Sequence, residues 1–179
     1  MKMETLKYLV YLLIIVFGHN FKAKAQEIPT AMIQNEINDQ IWSPFKKAFS
    51  DRDWNLFNSI HADDILRINK WGIRKGSEYK NSIETSYSQN SSTKRSIDFC
   101  FSERITNSST SYEVGLYKIT SQKDQGDIHY SYAQFHVLLK KINNRWKIVQ
   151  YWDSDLIHGN KITKEMFNEC KSTSPYEVE

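Results

Sequence analysis

Asn143 and Asn144 separate two long alternating runs of the chain. Before them, YSYAQFHVLLKKI switches between apolar and polar side chains; after them, RWKIVQYWDSD does the same. A two-residue connection of this kind closes a tight hairpin. The two runs are therefore antiparallel neighbours, with a register set by the turn. Upstream, IDFCFSERI alternates Ile97, Phe99 and Phe101 against Asp98, Cys100 and Ser102, and SYEVGLYKIT continues as a strand to Thr120. Gln122 to Asp127 is a turn by composition, whereas Ser88 to Ser96 is a polar loop. The second half of the chain thus reads as a meander of about four strands.

The first half reads differently. Ile33, Ile37, Ile41, Phe45, Ala48 and Phe49 recur at three- and four-residue steps, the stripe of an amphipathic helix. Pro44 lacks a backbone donor and is expected to kink or divide that helix near Gln40 to Ser43. Asp51 or Asp53 can cap a shorter helix carrying Trp54, Leu56, Phe57 and Ile60. A brief strand, Asp64 to Asn69, meets a turn with Gly72 and Gly76. Ser77 can then cap a third helix with Tyr79, Ile83 and Tyr87 on one face. Helices first and an antiparallel meander afterwards make an α+β pattern. The expected domain spans residues 33–157, after a linker at 26–32 and before a polar, loosely attached tail at 158–179.

Residues 1–25 read as a leader rather than as part of that domain. Lys2 and Lys7 precede the apolar run Tyr8 to Gly18, and Ala23-Lys24-Ala25 supplies the small residues of a cleavage site. A spanning helix needs roughly 20 apolar residues. The run is shorter, so the expectation is a cleaved signal peptide, a mature start at Gln26, a secreted or periplasmic location and no stable membrane anchor. The leader carries four lysines and one glutamate; without it, the 24 basic and 21 acidic residues become twenty of each. The basic pI therefore belongs to the leader and does not argue for nucleic acid. Export permits a disulfide between Cys100 and Cys170. A bonded pair and two separate thiols both fit the sequence.

Four features occur together: the leading helix, the segment DRDWNLFNSIHADDI, the turn at Lys75-Gly76, and the closing hairpin with RWKIVQYWDS. In order and spacing they resemble the nuclear transport factor 2-like superfamily, with SnoaL-like polyketide cyclases and steroid delta-isomerase-like proteins the nearest in pattern. The resemblance covers roughly Ile33 to Asp155. It implies a cystatin-like α+β roll, in which N-terminal helices pack on a curved antiparallel sheet around a conical apolar pocket, often in a homodimer.

Strict alternation in the last strand puts Trp146, Ile148, Gln150 and Trp152 on one face and Lys147, Val149, Tyr151 and Asp153 on the other. The ring-rich row is expected to face inward, with Asp153 and Asp155 at a solvated rim. Gln150 can orient a ligand but cannot act as a proton-transfer base. In the preceding strand, Ala133, Phe135, Val137 and Leu139 form the core row; Tyr130, Tyr132, Gln134, His136 and Leu138 form the outer one. His61 is expected at an exposed helix end, where the helix dipole favours it. Asp63 and Asp64 follow the second helix, where the resemblance implies an acid near the pocket. Trp42, Phe45, Phe49, Trp54, Tyr79 and Phe99, with Gln150 and Trp152, are the candidate pocket residues.

Three functions fit these residues. One is a small-molecule-binding domain for a compact hydrophobic ligand. A second is a cofactor-free isomerase or lyase acting on a hydrophobic carbonyl compound, with Asp64 or His136 as base and Tyr79 or Tyr132 as hydrogen-bond donor. The third is an interaction module that dimerises through the outer face of its sheet, where Tyr130, Tyr132 and Tyr151 are expected. The histidines lack metal-binding spacing, so no metal or cofactor is expected.

Overall fold

A computed structural model describes residues 29–89 and 91–176; the leader and the start of the linker lie outside the described residues. Helix α1, Thr30–Ile37, runs into a π-helical turn at Asn38–Trp42 and then into α2, Ser43–Asp51. The expected effect of Pro44 is visible here. With no proline donor for the Gln40 carbonyl, the ladder widens, and the Ser43 amide reaches back five residues to Asn38. The stripe of Ile33, Ile37, Ile41, Phe45 and Ala48 is buried along the whole segment. Asp53 caps the short helix α3, Trp54–Ser59, accepting from the Leu56 amide at 2.9 Å.

Strand β1, His61–Asn69, turns into β2, Gly72–Lys75, which the sequence had suggested was only a turn. Helix α4, Gly76–Ser88, follows with no side-chain cap; Ser77 lies inside it. Gly76 has a φ of +52°, and a Cβ there would stand 2.9 Å from the Asp63 carbonyl oxygen, so glycine is required. The meander is β3 (Thr93–Thr106), β4 (Thr110–Lys123), β5 (Ile128–Ile142) and β6 (Arg145–Ser154).

One six-stranded sheet results, in the order β2-β1-β6-β5-β4-β3. It is mixed, not wholly antiparallel: β1 runs parallel to β6. The meander leaves β6 with a free edge, and β1 fills it. Register shifts in β3, in β6 and in β1 bend the sheet around the helices. The hollow is packed with rings. Trp42 lies 4.7 Å from Phe99, 5.0 Å from Phe101 and 5.5 Å from Phe135, centroid to centroid. Its indole nitrogen donates to buried Glu113 at 2.6 Å, and Arg104 and Ser111 also donate to that carboxylate, at 3.0 and 2.9 Å. The buried Glu113 carboxylate is thus paired with the buried Arg104 guanidinium.

The described part of the tail, to Tyr176, is not loosely attached. After the small hairpin β7 (Leu156–Ile157) and β8 (Asn160–Lys161), helix α5, Lys164–Thr173, lies on the convex face of the sheet. Phe167 is buried beside the Tyr132 ring, 5.9 Å away. Cys170 is bonded to Cys100, with Cα atoms 6.1 Å apart. That bond explains why Cys100 is buried although it belongs to the outward row of β3.

Candidate functional site

The decisive local event is in β6. Leu139 pairs with Ile148 but Leu138 pairs with Gln150, so Val149 is an extra residue on β6. A bulge reverses the facing of everything beyond it. Trp146 and Ile148 face the core as expected, but from Val149 onward the inward residues are Tyr151 and Asp153. Gln150 and Trp152 belong to the outer row. This corrects the inward placement of those two and the solvated placement of Asp153.

Asp153 meets two donors under the mouth of the roll. Arg67 Nη2 donates to its Oδ2 at 2.5 Å, and the Tyr117 hydroxyl donates to the same oxygen at 3.1 Å. Arg67 comes from the inward row of β1, two residues after buried Ile65; Tyr117 lies on the corresponding row of β4. The guanidinium also donates to the Ile68 and Tyr151 carbonyls, and its carbon lies 4.4 Å from the Tyr151 ring centroid. Burial opposes the guanidinium charge, but the groups around it, the Asp153 carboxylate among them, outweigh it and raise the Arg67 pKa. Burial, then Asp153, pushes the Tyr117 phenol up. Burial does the same to Tyr79 and Tyr151. All three stay protonated and can only donate a proton in a hydrogen bond or accept one on oxygen.

A cavity of about 230 Å³ opens above this group. Tyr117, Ile119, Ala133 and Asp153 line it, and Lys70, Trp71, Ser131, Tyr132 and Asp155 form the rim. Lys70 donates to Asp155 at 3.0 Å across the mouth. A wider, more open cleft of about 400 Å³ lies at the other end of β6, among Lys80, Arg145 and Lys147.

Of the candidate catalytic residues, only Tyr132 borders the cavity. Asp64 is exposed on β1, and its neighbour Asp63 is paired with Lys80 at 2.7 Å. His136 is on the outer face, where it bonds the Tyr112 hydroxyl and stands 4.9 Å from the Trp152 ring. Tyr79 is buried on α4. Trp42, Phe45 and Phe99 are core, and Phe49 and Trp54 pack at its edge. His61 is not at an exposed helix end: it opens β1, is only 2% exposed and packs on Phe57 and Tyr79. Its Nδ1 lies 2.7 Å from the Phe57 carbonyl, and burial lowers its pKa to about 3, so the ring is neutral. Arg67 and Tyr117 were not recognised in the sequence, and Tyr151 and Asp153 were assigned to the outer row. A signal existed in DILRIN, where an arginine occupies a core-facing row and so requires a buried partner.

No family model and no curated protein sequence matches the chain. Solved structures do. A nuclear transport factor 2-like superfamily protein from Salmonella enterica serovar Typhimurium is 19% identical, with a TM-score of 0.58, covering 70% of this chain and 92% of that one. The fold is that of the nuclear transport factor 2-like superfamily. A protein of unknown function with a cystatin-like fold, from Nostoc punctiforme, is 18% identical, with a TM-score of 0.54 over 70% of this chain and 92% of that one. A ketosteroid isomerase-like protein from Erwinia carotovora atroseptica is also 18% identical, with a TM-score of 0.51 over 72% and 98%. At these identities the likeness concerns the nuclear transport factor 2-like architecture alone.

Proposed function

We propose that the protein is an exported, cofactor-free small-molecule-binding domain whose ligand occupies the Asp153 cavity. The observation that carries this reading is that a buried carboxylate and a phenol meet beneath an open cavity, with both side-chain donors on Oδ2. Oδ1 carries neither, and it offers an acceptor to a ligand hydroxyl or amine whose apolar body lies against Ile119, Ala133 and Tyr132. The volume suits a compact ligand. Cleavage after Ala25 and secretion or a periplasmic location belong to the same proposal. So does a homodimer on the uncovered outer face around Tyr112, His136 and Trp152, because Tyr151 faces inward and α5 covers Tyr132.

The cofactor-free isomerase or lyase is the second reading, favoured by the same meeting of an acid with a tyrosine. Arg67 counts against it. A guanidinium does not give up its proton, and protonating Asp153 would leave that buried cation without its partner. Thermal-shift screening of compact amphipathic compounds tests the binding reading. Hits are expected to stabilise the parent and to lose their effect in Ser131→Trp, which blocks the mouth from an exposed position. Hits that stabilise both proteins alike would refute it.

A further inference from the structure

The β1–β2 hairpin beside the cavity mouth carries the most exposed large apolar side chains among the described residues: Trp71 at 73% and Ile73 at 68%. The segment Asn69 to Lys75 reads NKWGIRK, with three cations and no acid. Lys70 is paired with Asp155 in an exposed bridge, and Lys161 acts on the same carboxylate. Arg74 donates to the Ser82 hydroxyl at 3.1 Å. Near these four cations stand Asp155 and, by the hairpin's base at Gly76, Asp63, Asp64 and Glu78, of which Asp63 is paired with Lys80 and Asp155 with Lys70.

An indole and a β-branched side chain held in water at a turn lack cover. Flanking cations specify what fits over them. Tryptophan favours the head-group layer of a bilayer, and lysine and arginine beside it favour anionic lipid. A second copy of the chain fits poorly. A two-fold contact through Trp71 would set Lys70 and Arg74 against their own equivalents.

We propose that the β1–β2 hairpin docks the protein reversibly on an anionic bilayer, with Trp71 and Ile73 among the head groups and Lys70, Arg74 and Lys75 against lipid phosphates. Lys70 and Trp71 also border the cavity, so docking brings its mouth to the lipid surface. The docking stands independently of whether the cavity holds a ligand.

The test uses the full chain, vesicles containing brominated phosphatidylglycerol, and tryptophan fluorescence. Residues 1–28 contain no tryptophan, so the leader's apolar run gives no signal of its own. Trp42 and Trp146 are buried. The parent is expected to be quenched, Trp71→Phe to lose most of that quenching, and brominated phosphatidylcholine to quench weakly. Lys70→Gln with Lys75→Gln is expected to weaken binding about tenfold or more, at roughly fivefold per cation. An unquenched parent, equal quenching in Trp71→Phe, or equal quenching by neutral vesicles would overturn the proposal. So would a dimer that Trp71→Ser with Ile73→Ser converts to monomer.

Discussion

Arg67 Nη2 lies 2.5 Å from Asp153 Oδ2 across the parallel β1–β6 pair, with only 9% and 11% of the two side chains exposed. Asp153 lines the cavity, and the buried pair is a structural liability if broken. Asp153→Ala leaves a buried cation unpartnered and is expected to lose about 3–5 kcal/mol. Arg67→Met combined with Asp153→Leu is expected to lose much less, because no charge is stranded. Urea denaturation of both variants checks this; equal losses would contradict it.

The Cys100–Cys170 bond closes a 70-residue separation and clamps α5 to the sheet. Reduction is expected to cost roughly 2–4 kcal/mol and to expose Phe167 and Tyr132. Thermal melts with and without reductant should differ for the parent and coincide for Cys100→Ser with Cys170→Ser.

That clamp and the bulge at Val149 mark where sequence reasoning stopped. The helical stripe from Ile33 to Phe49, the Pro44 disturbance, the Asp53 cap and the hairpin at Asn143-Asn144 were legible because each depends on a few neighbouring residues. The faces of Gln150, Trp152 and Asp153 were not. Period-two alternation assumes an unbroken register, and nothing in Ile148-Val149-Gln150 announces an extra residue. Arg67, Tyr117 and Asp153 are brought together from three strands, a placement that depends on the parallel pairing of β1 with β6. His61 looked like a helix end because the sequence does not show that β1 starts there.

His61 also makes the fold pH-dependent. Its folded pKa of about 3 lies below the unfolded value, so the unfolded chain binds the extra proton. Stability is then complete above about pH 7 and falls as the pH drops through the unfolded histidine value of roughly 6.5. The expected loss at pH 5 is about 2 kcal/mol. Burial lowers the His136 pKa too, in the same direction. Denaturation curves at pH 7.5 and 5 should separate for the parent and lie closer together for His61→Gln.

Trp152 faces outward against His136 and does not line the Asp153 cavity, so it lies on the proposed dimer face. Trp152→Ala is expected to leave ligand-induced stabilisation intact while weakening self-association, read by light scattering. A parent that scatters as a monomer at tens of micromolar would reject the dimer.

The most direct measurement is chemical-shift mapping by heteronuclear NMR with a ligand that stabilises the parent. Binding in the Asp153 cavity predicts the largest changes at Lys70, Tyr117, Ser131, Ala133 and Asp153. Changes confined to the outer row around Tyr112, Gln150 and Trp152, or to the cleft around Lys80 and Lys147, would contradict it.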